Sequence, residues 1–141
     1  MPVTHVPVTI AIGTTAYTVL AGDSGLTHYV LDLTSNCTFT LPSPAAGLWF
    51  DFVYAGDAAD AQNWIIDTGS DTNYFQGGLV FLDQDGDAIA PIDGDGNSNS
   101  ILTVVTPEPG TRIRAESGNG TTWILSGYVL SATTPSFADQ S

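Results

Sequence analysis

Apolar and polar residues alternate with a period of two along much of this chain. Two segments show the alternation best, and their apolar faces consist of Cys37, Phe39 and Leu41 and of Phe50, Phe52 and Tyr54. Such a period places successive side chains on opposite faces of a β-strand. No long window shows the three- and four-residue spacing of an amphipathic helix. The pattern therefore predicts a protein built from strands.

About ten short segments carry this strand pattern, and Gly, Pro, Asn or Asp residues separate them. They span residues 6–12, 16–20, 28–33, 36–41, 48–54, 64–67, 79–82, 101–105, 112–116 and 121–130. Short strands at this spacing predict an all-β fold, either an antiparallel β-sandwich of the jelly-roll kind or a small barrel.

The two ends of the chain differ from its middle. Residues 1–10 carry Pro2 and Pro7 among valine, threonine and isoleucine, which predicts an extended N-terminal arm. Residues 11–132 are expected to form a single all-β domain, in agreement with a length of 141 residues. Residues 133–141 are mostly polar and predict a flexible C-terminal tail.

The chain is strongly acidic, with a formal net charge of -13 from fifteen acidic residues against two arginines, Arg112 and Arg114. A surface of this sign repels phosphate groups, so neither nucleic acid nor an anionic membrane is expected as a partner. The N-terminus has neither the basic region nor the long apolar core of a secretion signal, which predicts synthesis and folding in the cytoplasm. A single cysteine, Cys37, excludes an intramolecular disulfide.

Residues 83–97 form the candidate metal site, because a bound Ca²⁺ would relieve the repulsion among their aspartates. Counted from Asp83, however, the sixth position of an EF-hand loop is Ala88 instead of glycine, and the twelfth is Gly94 instead of glutamate. A solvated acidic loop is therefore favoured over a calcium site, and no metal or other cofactor is expected.

The residues that could support catalysis are few. His5 and His28 are the only histidines, and His28 follows Asp23 and Ser24 closely in sequence. No nucleophile elbow, phosphate-binding loop or His/Cys metal spacing accompanies them. We therefore expect a protein that is not an enzyme.

The tryptophans Trp49, Trp64 and Trp123 have two interpretations. Indole rings stack on sugars, which predicts a carbohydrate platform. Aromatic residues are also enriched at protein interfaces, which predicts a contact between subunits. Only 12 % of the residues are charged, about half of the usual proportion, and this favours a surface that lies largely in protein contacts.

Three fragments, taken in order, resemble a module of bacteriophage virion proteins. They are Thr-Phe-Thr-Leu-Pro at 38–42 with Gly47 and the strand at 49–52, Asn-Trp-Ile-Ile-Asp at 63–67, and Gly-Asn-Gly-Thr-Thr-Trp-Ile-Leu-Ser-Gly at 118–127. The module occurs in tail fibres, adhesins and capsid decoration proteins, and it ends in an Asp/Asn-Gly-x-x-Trp strand. The resemblance covers roughly residues 36–127 and implies that Trp123 belongs to the core.

This resemblance implies a capsid decoration (cement) protein that binds the major capsid protein on the outer surface of the head and stabilises the shell. It also implies a homotrimer, since many such modules associate by threes. The module fills nearly the whole chain without the shaft of a tail fibre, which favours the decoration role. The alternative is a receptor-binding adhesin tip of a tail fibre that recognises host glycan, and a third class is a glycan depolymerase.

Two sets of residues are expected to make the contacts of such a protein. The capsid-binding residues are expected in the N-terminal arm, whose extended chain can add to the edge of a sheet. They are Val3, His5, Val6, Val8 and Ile10. The residues expected at a contact between copies, or at another surface contact, are Trp64, Tyr74 and Phe75.

Overall fold

The computed structural model describes residues 6–140. Strands make up nearly all of its regular structure, with one short 3-10 turn at Ala21–Asp23. In chain order the strands are β1 (Val8–Ile10), β2 (Ala16–Thr18), β3 (Thr27–Val30), β4 (Cys37–Thr40), β5 (Trp49–Tyr54), β6 (Asn63–Asp67), β7 (Tyr74–Asp83), β8 (Ile89–Asp95), β9 (Ile101–Val105), β10 (Arg112–Glu116), β11 (Thr122–Ser131) and β12 (Ser136–Ala138). The all-β fold is confirmed.

The strands form two sheets around one core. The larger sheet has seven strands in the order β1-β3-β5-β10-β11-β7-β8, and the smaller has five in the order β12-β9-β6-β4-β2. The predicted single domain of sandwich type is therefore confirmed. The predicted antiparallel pairing holds for only part of it, because five of the ten pairings are parallel and the sheets are mixed.

Most of the parallel pairings arise from the path of the first six strands, which alternate between the two sheets. β1, β3 and β5 lie side by side in the larger sheet, and β2, β4 and β6 lie side by side in the smaller one. From Val8 to Asp67 the chain therefore circles the core as successive turns of a coil. Alternation along a strand shows which residues face inward but not the direction of the neighbouring strand, so the sequence pattern did not reveal this path.

Aromatic side chains fill the space between the sheets. Phe39 and Phe52 come from opposite sheets, and their ring centroids lie 5.7 Å apart in an edge-to-face arrangement. Trp64 packs against Phe39 at 5.6 Å, and Trp123 packs against Phe50 at 5.8 Å. All five side chains are fully buried. The predicted apolar faces that carry Phe39, Phe50 and Phe52 therefore turn into the core, and the core position expected for Trp123 is confirmed.

Both chain ends contribute an edge strand where an arm and a tail were expected. β1 lies within residues 1–10, yet it pairs with β3 and buries Ile10. β12 lies within residues 133–141, yet it pairs with β9, and Phe137 packs on Phe75 with ring centroids 6.1 Å apart. Paired backbone and an apolar contact with the core hold these short segments in the sandwich.

Two strand segments also occupy positions where loops were expected. β7 begins at Tyr74, well before the predicted strand at residues 79–82. β8 lies inside the acidic segment and packs Ala90 and Ile92 against the core. Proline and aspartate at its outward positions are typical of loops, so the sequence pattern did not predict a strand there. Pro91 is tolerated because β8 is the edge strand of the larger sheet.

Candidate functional site

The aromatic residues expected at a surface contact lie mostly in the core. Trp64 and Phe75 are fully buried, and the Trp64 ring packs against those of Phe39 and Tyr54. Tyr74 is half-buried at the start of β7. The expected surface role is wrong for Trp64 and Phe75, because the alternation of β6 and β7 turns both side chains inward.

The residues expected to bind the capsid are divided by the fold. Val3 and His5 lie outside the described residues. Val6 is 77 % exposed, whereas Ile10 is 3 % exposed and its side chain is not available to a partner. Val8 is half-buried and packs against the core. Among the described residues of this set, Val6 alone presents a largely exposed apolar side chain.

Three exposed apolar residues flank β1 and β2, and we call them the N-terminal edge: Val6, Ile12 and Leu20. β1 and β2 are each the outermost strand of their sheets, and the Tyr17 ring of β2 contacts the His28 ring of β3. Beside this edge lies a shallow groove of about 260 Å³. Its lining residues are Pro7, Gly25, Leu26, Thr27 and Tyr29. The N-terminal segment therefore enters the fold beside an exposed apolar margin.

A second apolar surface lies on the outer face of the larger sheet. Strand register sets two neighbouring apolar rows there, which run across β11, β7 and β8. We call these six residues the outer apolar face: Leu130, Leu82 and Ile89 in one row, and Tyr128, Val80 and Pro91 in the next. Ile89 is 74 % exposed and Val80 is 43 % exposed. Both side chains are therefore exposed in the part of the chain that the structure describes.

Both basic residues of the chain border the outer apolar face. Arg112 and Arg114 point outward from β10 and share the Asp51 carboxylate of β5, with nitrogen–oxygen distances of 3.9 and 4.0 Å. The Arg114 guanidinium also lies 4.1 Å from the centre of the Trp49 ring. Ion pairs as exposed as these contribute little to stability. Both guanidinium groups therefore remain accessible to an external acidic group.

The carbohydrate-platform interpretation has little support from the tryptophans. Trp64 and Trp123 are fully buried. The ring of Trp49 is partly exposed, but Arg114 lies over it and Gly25 lies against it, so closely that an added Cβ would stand 3.6 Å from the ring. A sugar that stacked on Trp49 would have to compete with the Arg114 guanidinium.

The histidine and the cysteine considered for chemistry are core residues. Three aromatic rings surround His28, those of Tyr17, Phe50 and Phe52. Its Nδ1 lies 3.2 Å from the Leu26 carbonyl oxygen, and its Nε2 has no hydrogen-bond partner among the described residues. Burial lowers the pKa of His28. Burial also raises the pKa of the Cys37 thiol to about 11, so the thiol stays protonated at neutral pH.

Carboxylates organise the turns at both ends of β8. Asp83 Oδ1 accepts hydrogen bonds from the N–H groups of Asp85 and Gly86, both at 3.0 Å. Asp95 Oδ2 accepts the Ser98 hydroxyl at 2.6 Å, and this bond, with backbone N–H groups, lowers the pKa of Asp95 to about 2. Within residues 6–140, no three His, Cys, Asp or Glu side chains gather into a group that could hold a metal ion.

The outer apolar face is the feature that the sequence pattern did not reveal. Its residues come from three separate segments, and only strand register brings Leu82, Ile89 and Leu130 into one row. One signal was present in the sequence. Residues 79–82 and 128–130 are apolar without interruption, which is typical of strands covered on both faces.

Residues 6–140 include no helix with the length and hydrophobicity needed to cross a bilayer. No protein-family model, curated protein or solved structure matches this chain.

Proposed function

We propose that this protein is a phage capsid decoration (cement) protein, made in the host cytoplasm, that binds the major capsid protein on the outer surface of the head without catalytic activity. The observation that carries the proposal is the N-terminal edge. Val6, Ile12 and Leu20 expose apolar side chains beside the outermost strands of both sheets. The resemblance to phage virion modules supplies the class of partner.

The contact would combine backbone and side-chain interactions. Within the described residues β1 pairs with β3 alone, so its other side can add to a strand of a capsid subunit. Val6 and Ile12 stand at the two ends of β1 and would enter apolar pockets of that subunit. A ligand that binds only the assembled shell stabilises the shell in proportion to its occupancy.

The electrostatics support a position outside the shell. A net charge of -13 opposes any approach to packaged nucleic acid. The resemblance adds a homotrimer as the assembly that decorates the head, and this trimer would form there as three copies bind neighbouring capsid subunits.

A deletion tests the proposed capsid contact. Removing residues 1–7 takes away Val6 but keeps β1, so the protein should remain folded while its co-sedimentation with expanded capsids is lost. Replacing Ile12 and Leu20 by serine in the full chain should weaken capsid binding by about a hundredfold, the loss expected for two buried apolar contacts of about 1.5 kcal/mol each. Ile124→Ser, which alters an exposed apolar residue on the larger sheet, is the matched control.

The results separate the proposal from its alternative. Unchanged capsid affinity after the deletion would show that the N-terminal edge is not the contact. If the full chain does not bind capsids but binds host cell surfaces, and immunogold labelling places it on the tail, the receptor-binding adhesin function is supported instead.

A further inference from the structure

We propose that the outer apolar face is the contact between two copies of this chain, packed face to face about a two-fold axis parallel to β11 and β7. This surface is distinct from the N-terminal edge, so the inference does not depend on capsid binding. It assigns a partner to the face that the fold leaves uncovered.

The composition of the face indicates an interaction site. Six apolar side chains lie side by side in two rows, and charged residues border them on both sides. Arg112 and Arg114 lie along the β10 margin, and Asp93 and Asp95 lie along the β8 margin. Contiguous apolar patches with a polar rim mark interaction surfaces in soluble proteins.

The two charged margins are related by the geometry of the sheet. In one row, Arg114 of β10 lies opposite Ser126 of β11. Asp93 of β8 lies opposite Gly78 of β7. The pairs on either side, Leu125 with Gly77 and Tyr128 with Val80, place Ser126 of β11 beside Gly78. The positive and negative margins therefore lie at equal distances from the line between β11 and β7.

A two-fold axis along that line makes the face complementary to itself. The rotation sets β10 of one copy over β8 of the other and keeps each row over the same row. Arg114 of each copy then faces Asp93 of the second copy, so this ion pair forms twice. In the apolar rows, Tyr128 faces Val80 and Leu130 faces Leu82. A contact of this kind closes at two copies.

Other modes of association fit the face less well. β8 is the edge strand, but Pro91 lacks an N–H group and the outward aspartates repel a second acidic strand, so pairing along this edge is disfavoured. Four strands, β10 to β8, at about 4.8 Å spacing and seven residues of about 3.4 Å give the outer apolar face and its charged margins together a flat area of roughly 450 Å². This is below the about 800 Å² per partner of a standard interface, which places the contact among weak, transient associations. We therefore expect a dissociation constant no tighter than micromolar.

A neighbouring row of residues should weaken the dimer, because the proposed two-fold axis brings two like charges of this row together. It runs Glu116, Ile124, Gln76 and Asp95 from β10 to β8. The same rotation brings Glu116 of one copy over Asp95 of the other, and these like charges repel each other. Glu116→Gln should therefore tighten the association by about threefold, a magnitude usual for one exposed charge pair.

Sedimentation equilibrium of the full chain tests the inference. The expected result is a dimer with a dissociation constant in the micromolar range. Arg114→Glu should weaken it by about tenfold, and adding Asp93→Arg to the same chain should restore it, because the two charges exchange places across the axis. Val80→Ser with Tyr128→Ser should give a monomer. Val6→Ser with Ile12→Ser removes apolar groups that lie elsewhere and are more exposed, and it should leave the dimer intact.

Near-ultraviolet circular dichroism shows whether each variant keeps its packed core. A wild-type chain that stays monomeric at several hundred micromolar would overturn the inference, and so would failure of the charge exchange to restore a dimer. A trimer that depends on the outer apolar face would also overturn the two-fold arrangement, while agreeing with the proposed homotrimer. Capsid co-sedimentation of the same variants reports separately on the proposed function.

Discussion

The two outer faces of the sandwich follow the same alternation but expose different chemistry. On the smaller sheet, the middle row consists of Ala16, Thr38, Ile65, Thr103 and Ser136. Apart from Ile65, this row consists of small side chains and hydroxyl groups that can remain in contact with water. On the larger sheet, the corresponding positions of β11, β7 and β8 carry large apolar groups. Outward positions in a sandwich are therefore not polar by necessity, and an apolar outward face indicates a further layer.

Charge distinguishes the two faces further. The outward positions of the smaller sheet carry one acidic residue, Asp67, and its carboxylate accepts a hydrogen bond from the Gln140 side chain. The larger sheet carries both arginines together with several carboxylates. In a chain with so few charged residues, this unequal distribution gives the larger face more charged groups of both signs with which to orient a partner.

The largest expected effect comes from breaking the larger sheet at Gly127. An added Cβ would collide with the Arg112 carbonyl oxygen, and the φ angle of 125° is unfavourable for other residues. Gly127→Ala should lower the free energy of unfolding by about 3 kcal/mol and distort the row that contains Tyr128. Urea unfolding measures the loss. Gly118→Ala, whose Cβ would meet nothing within 4 Å, is the control and should have little effect.

The pH dependence of unfolding tests whether the two sheets share one cooperative core. His28 belongs to β3 of the larger sheet, is buried, and contacts Tyr17 of the smaller sheet. Because burial lowers its pKa, the folded chain leaves His28 neutral at a pH where the unfolded chain, with a pKa near 6.5, binds a proton. This group therefore lowers the free energy of unfolding as the pH falls from 6.5 toward the folded pKa, by at most about 1.4 kcal/mol per pH unit.

The matched variant for this experiment is His28→Leu, which should remove that part of the pH dependence. Aspartate and glutamate titrate in both proteins, so the difference between the two pH profiles isolates the histidine. Unfolding followed by tryptophan fluorescence and by far-ultraviolet dichroism should coincide for each protein. Separate transitions would show that the two sheets do not share one cooperative core.

Changing the salt concentration should have the smallest effect on the dimer. It shows whether apolar contact or ion pairing dominates at the outer apolar face. Each copy carries a charge of -13, so long-range repulsion opposes association, while the centre of the contact is apolar. Raising NaCl from about 0.05 to about 0.5 M screens this repulsion and should lower the dissociation constant of the dimer a few-fold. A dissociation constant that rises with salt would mean that the Arg114–Asp93 pair dominates the contact.

The sequence predicted the positions that face the core better than it predicted the surfaces. Alternation identified Phe39 and Phe52 because burial follows directly from a period of two. It did not distinguish parallel from antiparallel neighbours, since both use the same period. Trp64 and Phe75 were assigned to a surface by residue type, although strand position decides exposure.

The sequence pattern failed to predict the edge strands β8 and β12 for one shared physical reason. β8 carries proline and aspartate at outward positions, and β12 has only three residues, so neither shows the apolar run of a central strand. Their stability comes from pairing with β7 and β9. The sequence of one segment does not show which distant segment it will pair with, so these strands could not be predicted from their own residues.

The coiled path of the first six strands has a mechanical consequence. A pulling force on the N-terminus would first peel β1 from β3, then β2 from β4, because each strand of the coil is held by the next turn in its own sheet. Hydrogen bonds would break a few at a time, and each freed residue would lengthen the tether by about 3.4 Å. A protein attached through its N-terminus would thus extend stepwise under load, while the pairing of β10, β11 and β7 remained whole.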